Sequence, residues 1–289
     1  MIVELARPKV NLTLEVTGRR EDGYHLLQSL VVFPEGGDQL EISASDDLIL
    51  RVDGPFGEGL PADVNNLVLK VAMYLRDKYN VPEGAALKLK KNLPIASGIG
   101  GGSADAAAAL RGLNRFWNLG LSDRELEKIG LQFGADIPVC VRSLACFMEG
   151  IGDQLSLPVQ VPGMTILLIN PGVSVSTPSI FSELNYPVGS HTSAAELPES
   201  FSNIREFLEY ASGHCNDLQS SAIFLVPEIA DVLDSFSETE TCLFYRMSGS
   251  GATCFGLFRR LEEASAAAAT ISSKHPDWWV FTASLEGGK

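Results

Sequence analysis

The residues whose types and spacing could do chemistry together lie in one run, Pro94-Ile95-Ala96-Ser97-Gly98-Ile99-Gly100-Gly101-Gly102-Ser103-Ala104-Asp105. Four glycines in the five residues 98–102 remove the Cβ atoms that would hold a ligand away from the backbone. Glycine also reaches positive φ at little cost. The Ala-rich stretch that follows predicts a helix from Ser103 to about Trp117. A helix N-terminus offers unpaired N–H groups and the positive end of a dipole, which together favour phosphate. Ser103 is placed to cap that helix or to contact a phosphate or its metal ion. Two common phosphate patterns do not fit. Gly98 and Gly100 match the first two positions of the dinucleotide fingerprint, but Ser103 stands where the third Gly or Ala belongs. The chain also lacks the Gly-Lys-Ser/Thr of a P-loop. The run therefore reads either as a phosphate cradle or as a tight left-handed connection with Ser103 as an ordinary N-cap.

Other groups are open to two readings. Residues 9–16 alternate, with Val10, Leu12, Leu14 and Val16 on one side and Lys9, Asn11, Thr13 and Glu15 on the other, as in a half-buried strand. Lys9 and Asn11 then share a polar face, where they could meet a ligand or simply be solvated. Asp136 follows Ala135 just after a helical stretch, where acidic turn residues are common. Tyr24 and His25 follow Gly23 in a turn. They could stack on and hydrogen-bond a pyrimidine, or pack the end of a hairpin. Ser248-Gly249-Ser250-Gly251 reads as a β-turn or as a loop that aims backbone amides at a ligand. His191, His214 and His275 lie in polar or turn contexts and read as surface residues, and no metal-binding spacing occurs. The five cysteines, odd in number and without a Cys-x-x-Cys, read as buried free thiols of a reducing cytoplasm.

The elements that must position these groups follow from periodicity and punctuation. Strands are expected at 26–33, 39–43, 47–52 and 86–90, and a helix at 65–79. Ser122-Asp123-Arg124-Glu125 is a capping box opening a helix to about Gln132, and 134–138 stops it. Residues 139–157 read as strand-like, and 164–169 as a buried strand. Helices follow at 202–211, 217–225, 227–236 and 262–273, with strands flanking the 248–251 loop and a last strand at 278–283. Pro158 and Pro162 mark a boundary between two parts. The pattern is α+β throughout, and no internal repeat stands out.

Composition bounds the function. With 22 Lys or Arg against 36 Asp or Glu among 289 residues, the net charge is −14. So acidic a chain is a poor coat for nucleic acid, although local dipoles and a few cations can still bind a small anion. No apolar run reaches the roughly 18 residues that span a bilayer, and the first ten residues lack a signal-peptide apolar core. The expected setting is cytoplasmic, and the sequence carries no signal for oligomeric state.

From Pro94 to Ala104 the sequence resembles the GHMP kinases, whose phosphate loop reads P-x-x-x-G-[IL]-G-[GS]-[GS]-S-[AS]. Pro8-Lys9-Val10-Asn11-Leu12-Thr13-Leu14 followed by Arg20-Glu21-Asp22-Gly23-Tyr24-His25 resembles the opening of one branch of that family. Gly134-Ala135-Asp136-Ile137-Pro138 is similar to that branch's catalytic loop, and Ser248 to Ala252 to the family's third Gly-rich motif. The resemblance implies a two-domain α/β (α+β) GHMP kinase fold with the active site in the inter-domain cleft. The domains would be an N-terminal ATP-binding domain over 1–158 and a C-terminal domain over 159–289. It implies an ATP-dependent small-molecule kinase using ATP and Mg2+ carried with the nucleotide, with no nucleic-acid or membrane partner. The acceptor of that branch is an alcohol, diphosphocytidyl methylerythritol.

Residue roles follow from the same resemblance. Pro94, Ile95, Ala96, Ser97, Gly98, Ile99, Gly100, Gly101, Gly102, Ser103 and Ala104 would bind ATP. Asp136 would be the general base and Lys9 its neighbour. A carboxylate within reach of a hydroxyl can take its proton, and an ammonium stabilises the alkoxide and the moving phosphoryl group. Tyr24 and His25 would recognise the cytosine, with Phe181 closing its other face. Thr177, Asn11, Gly249 and Gly251 would touch the substrate, and the protein ligand of magnesium is not evident. A GHMP kinase acting on another alcohol, of homoserine or mevalonate type, is the competing enzyme. A nucleotide-binding regulator without catalysis is the competing non-enzyme, against which the intact Lys9 and Asp136 argue.

Overall fold

The computed structural model describes residues 1–184, 186–190 and 197–285. The chain opens with β1 (Ile2–Ala6), β2 (Val10–Asn11), β3 (Glu15–Arg19), β4 (His25–Val32), β5 (Asp38–Ser43) and β6 (Leu48–Asp53). Helix α1 (Leu67–Lys78), strand β7 (Ala85–Lys90) and helices α2 (Gly101–Phe116), α3 (Asp123–Gly130) and α4 (Ile137–Arg142) follow. Then come β8 (Cys146–Gly150), β9 (Gln154–Leu155), β10 (Met164–Asn170), α5 (Thr177–Ser182), α6 (Ile204–Gly213), α7 (Gln219–Leu225) and α8 (Glu228–Ser237). The last elements are β11 (Phe244–Met247), β12 (Cys254–Phe258), α9 (Leu261–Lys274) and β13 (Trp279–Leu285).

These elements form two compact units that are interleaved in sequence. The first unit comprises 1–8, 36–95 and 100–143, and the second 9–35, 96–99 and 144–289. The first unit is built on a four-stranded sheet in the order β1-β5-β7-β6, in which β6 and β7 run parallel and are joined through α1. Leu40, Ile42, Leu87 and Leu89 are buried on its strands, and Val68, Val71, Ala72 and Leu75 on α1. α2 buries Ala106, Ala107, Ala108, Ala109, Leu110 and Leu113, so small side chains all round the helix let neighbouring elements enclose it. Asn66 caps α1 by accepting the Val68 amide at 2.9 Å, and the capping box at Ser122 and Glu125 opens α3 as the sequence predicts.

The second unit holds two antiparallel sheets, one ordered β11-β12-β10-β13, the other β2-β4-β8-β9 with β3 against β4. Every residue of β10 is buried because both faces of its sheet are covered. Ile166 and Leu168 pack in one core with Val10, Leu12, Leu30, Val32 and Phe147 of the other sheet. Leu167 and Ile169 pack in a second core with Ile229, Val232 and Phe236 of α8 and Ala264, Ala267 and Ile271 of α9.

Several expectations are corrected. Residues 137–142 form α4, not a strand. The β-branched Val139 and Val141 suit a strand, but Pro138 in the first turn is preset for helix, and six residues are too few to show a helical period. α5 went unread for the same reason. β1 went unread because its polarity is inverted: Glu4 is buried, while Val3 and Leu5 are each 45% exposed. Helix α2 starts two residues before Ser103, which is its third residue and not its N-cap. The polar side of 9–16 is not solvated either, since Lys9, Asn11 and Thr13 are all buried. Of the cysteines, Cys140, Cys146 and Cys254 are buried, but Cys215 is exposed and Cys242 half-buried. His214 stacks on Tyr210 and His275 on Trp278, so both are half-buried. His191 lies outside the described residues.

Candidate active site

The glycine run is shared between the units: Pro94 and Ile95 belong to the first, Ala96, Ser97, Gly98 and Ile99 to the second, and Gly100 onward to the first. In the first unit, Gly100 is the N-cap of α2 in a left-handed conformation at φ 64, and no side chain caps this end of the helix. The Ala104 amide reaches the Gly100 carbonyl at 2.8 Å, closing the first helical turn. The N–H groups of Gly101, Gly102 and Ser103 precede that ladder, as the first amides of any helix do. A Cβ added at Gly102 would meet nothing within 4 Å. The protein's own packing therefore does not ask for glycine there, and a helix-start glycine costs up to about 1 kcal/mol against alanine. Backbone access for a ligand gives that cost a reason.

Beneath this turn lies a buried ionic cluster that the sequence did not disclose. Lys91 Nζ donates to Asp105 Oδ2 at 2.7 Å and also to Asp38 Oδ2. Asp38 Oδ1 accepts the amides of Asn92 at 2.5 Å and Leu93 at 2.8 Å, tying the end of β7 to the start of β5. Burial pushes the Asp105 carboxyl up to about 7 against the pull of the Lys91 ammonium. Burial opposes the charge on Lys91, but Asp105 and Asp38 prevail and raise its pKa. Asp136, also in this unit, occupies the N-cap position of α4, yet its carboxylate makes no capping bond to that helix.

In the second unit, two Gly-rich turns lock together. Gly98 adopts φ +75, and a Cβ there would stand 2.6 Å from the carbonyl oxygens of both Gly251 and Ser248. Only glycine permits that approach. Ser248 Oγ donates to the Gly98 carbonyl at 3.1 Å and accepts the Asn11 amide at 3.1 Å. The Thr253 amide donates to the Ser97 carbonyl at 3.1 Å, and the Lys9 amide to the Ile99 carbonyl at 2.9 Å. Asn216 Nδ2 holds the far side of the turn through the Met247 and Gly249 carbonyls, at 2.8 and 2.9 Å. Lys9 and Asn11 are thus brought to the glycine run, with the Ser248–Gly251 turn.

Thr177 Oγ1 lies 2.7 Å from Ser250 Oγ, which joins the start of α5 to the same turn. Phe181, one turn further along α5, stacks on His25 with ring centroids 5.0 Å apart. Tyr186 meets the His25 ring edge-on at 6.4 Å. Tyr24 is 62% exposed, and its ring is not among the ring contacts of the described residues. Burial, then the Arg19 charge, lower the His25 pKa, so the imidazole is neutral at neutral pH. Asn11 Oδ1 and His25 Nε2 are both buried without a hydrogen-bond partner. Buried polar atoms are ordinarily satisfied, so each is open to a partner from outside the chain, water or ligand.

Sequence reasoning missed Asp38, Lys91 and Asn216, and gave Asp105 no role of its own. Lys91 ends what reads as an ordinary basic run, and Asp105 lies inside an Ala-rich helix. Among the described residues, no group of three or more His, Cys, Asp and Glu side chains could hold a metal ion. No helix among the described residues is long and apolar enough to cross a membrane.

The first unit presents a glycine-opened helix N-terminus that no side chain caps, an arrangement suited to phosphate, and family comparison gives the class of the chain. Residues 66–143 match the GHMP kinases N terminal domain and 193–277 the GHMP kinases C terminal domain. The chain belongs to the GHMP kinase family. A relative from Parvibaculum lavamentivorans is 42% identical over 286 residues, covering 99% of both chains. One from Ruegeria pomeroyi is 47% identical, covering 96% of this chain and 98% of its own. Both are named 4-diphosphocytidyl-2-C-methyl-D-erythritol kinase. A crystal structure of 4-(cytidine 5'-diphospho)-2C-methyl-D-erythritol kinase superposes with a TM-score of 0.80 at 27% identity, covering 99% of this chain and all of the other.

Proposed function

We propose that this chain transfers the γ-phosphoryl group of ATP to the 2-hydroxyl of 4-diphosphocytidyl-2-C-methyl-D-erythritol, giving the 2-phosphate and ADP in non-mevalonate isoprenoid precursor synthesis. The observation that carries this reading is the match at 42–47% identity, over nearly the whole length, to relatives of that name. The site supports it. In this reading the Gly101–Ser103 amides and the dipole of α2 hold the nucleotide phosphates, with Pro94 to Ala104 shaping the loop. Asp136 takes the proton of the acceptor hydroxyl, and the Lys9 ammonium offsets charge on the forming alkoxide and the moving phosphoryl group. His25, Phe181 and Tyr24 receive the cytosine, and the orphaned Nε2 of His25 gives that base a hydrogen-bonding partner. Asn11, Thr177 and the backbone at Gly249 and Gly251 position the rest of the acceptor.

Magnesium enters this reading with ATP as part of the substrate, since the described residues gather no acidic or imidazole cage for it. The proposed setting is the cytoplasm, where ATP is supplied and the five free thiols stay reduced. An ADP-release assay with the cytidyl alcohol, homoserine and mevalonate in parallel tests the function. Release only with the cytidyl alcohol is the expected result. Release with another alcohol points to a different GHMP kinase, and release with none to a regulator.

A further inference from the structure

Helix α2 carries more than the phosphate end of the site. About 15 Å along its axis from Gly101, at 1.5 Å per residue, it presents Arg111. That guanidinium uses all three of its nitrogens. Nε donates to Glu4 Oε2 at 3.1 Å, and Nη2 to the Leu5 carbonyl at 2.8 Å, both on β1. Nη1 donates to the carbonyls of Cys140 at 2.7 Å and Val141 at 3.2 Å, in the last turn of α4. The last carbonyls of any helix lie beyond its intrahelical ladder, and a cation at a helix C-terminus is favoured by the dipole. Glu4 is buried and also pairs with Arg115, so the guanidinium is held in one orientation by a carboxylate that is itself fixed.

The other backbone group of Cys140 leads to Asp136. The Cys140 amide donates to the Asp136 carbonyl at 3.2 Å, while the Cys140 carbonyl accepts from Arg111. One residue of α4 therefore links the guanidinium to the backbone that carries the Asp136 carboxylate. We propose that Arg111 is a positioning residue for phosphoryl transfer, fixing where Asp136 stands relative to the phosphate-binding start of α2. This rests on the reading of Asp136 as the base. The fork geometry matters, because a lysine keeps the charge but cannot span Glu4, Leu5, Cys140 and Val141 together. A misplaced base slows chemistry while leaving nucleotide binding alone.

Full-length Arg111→Lys, Arg111→Met, Asp136→Asn and the double variant Arg111→Lys/Asp136→Asn are compared by steady-state kinetics, with folding checked by circular dichroism. Arg111→Lys is expected to lower kcat at least tenfold, with KM for ATP and for the acceptor within twofold of wild type. On the residual turnover of Asp136→Asn, the same change is expected to cost less than twofold, because the group it positions is already disabled. A folded Arg111→Lys enzyme with kcat within twofold of wild type overturns the inference. So does an equal loss in the Asp136→Asn background, which is the mark of a structural role. Near-normal turnover by Asp136→Asn alone overturns the base reading and this inference with it. Should Arg111→Met fail to fold, Arg111→Lys decides.

Discussion

Lys91 Nζ lies 2.7 Å from Asp105 Oδ2, with both side chains almost wholly out of water and a second carboxylate, Asp38, on the same ammonium. Two acids sharing one buried cation leave one acid under-compensated, and burial pushes Asp105 up to about 7 from 3.8. Between those values the folded chain keeps a proton that the unfolded chain has lost, so stability from this group is full below 3.8 and lost as pH rises through about 7. Asp105→Asn removes that titration. Thermal melts of wild type and Asp105→Asn from about pH 5 to about pH 8 should show the wild type losing ground to the variant as pH rises. A difference in melting temperature that stays constant over that range would refute it.

The same loop contains glycines of two kinds, and they are separable. At Gly98 a Cβ would strike two backbone carbonyls at 2.6 Å, and φ is +75, so neither neighbour can yield cheaply. Gly98→Ala should destabilise the fold by at least about 2 kcal/mol, read in urea unfolding. At Gly102 the space is open, so Gly102→Ala should stabilise the unliganded protein by about 0.5–1 kcal/mol while raising the KM for ATP, because its methyl occupies the ligand's approach. A Gly102→Ala enzyme with unchanged KM for ATP would mean that the phosphates lie elsewhere.

What the sequence disclosed of these features depended on range. α2, β10 and the Ser122 box were legible because their signals are local: an Ala-rich run, an apolar run, a cap three residues from its partner. α4 and α5 were not, being shorter than two helical turns, and β1 was not, because Glu4 faces inward against Arg111 and Arg115. The glycine run by itself left a phosphate cradle and a tight left-handed connection both open, and Lys9 and Asp136 gained proposed roles only from a resemblance. Burial of Lys9, Asn11 and Thr13 was hidden by their polarity, since a strand flanked by two packed layers buries both faces. The Lys91 cluster joins residues 14 and 53 positions apart, a relationship no local pattern encodes.

The aromatic end of the site makes a prediction on substrate selectivity. Tyr24 is exposed and packs little of the fold, while Phe181 stacks on His25. Tyr24→Ala should raise the KM for the cytidyl alcohol roughly tenfold, within the range for one base–aromatic stack, and leave the melting temperature unchanged. Phe181→Ala should raise the same KM and also lower the melting temperature, since it removes a packed ring. KM for ATP should hold in both. If the acceptor KM rose in neither variant, the cytosine would be read elsewhere.

Asp136 sits at the N-cap position of α4 without spending its carboxylate on the cap, and Arg111 holds the other end of that helix. Removing the carboxylate costs α4 no cap, so Asp136→Ala should keep that helix, fold, and bind ATP as wild type does. Its kcat should fall by a factor of about 100 to 10,000, the usual contribution of one positioned base. Lys9→Met differs, because the Lys9 side chain is buried. It should lower kcat comparably while also weakening the KM for the acceptor. Single-turnover quench measurements separate chemistry from product release in both variants. A folded Asp136→Ala enzyme with near-normal single-turnover rate would remove Asp136 from the reaction and leave the phosphate site without its base.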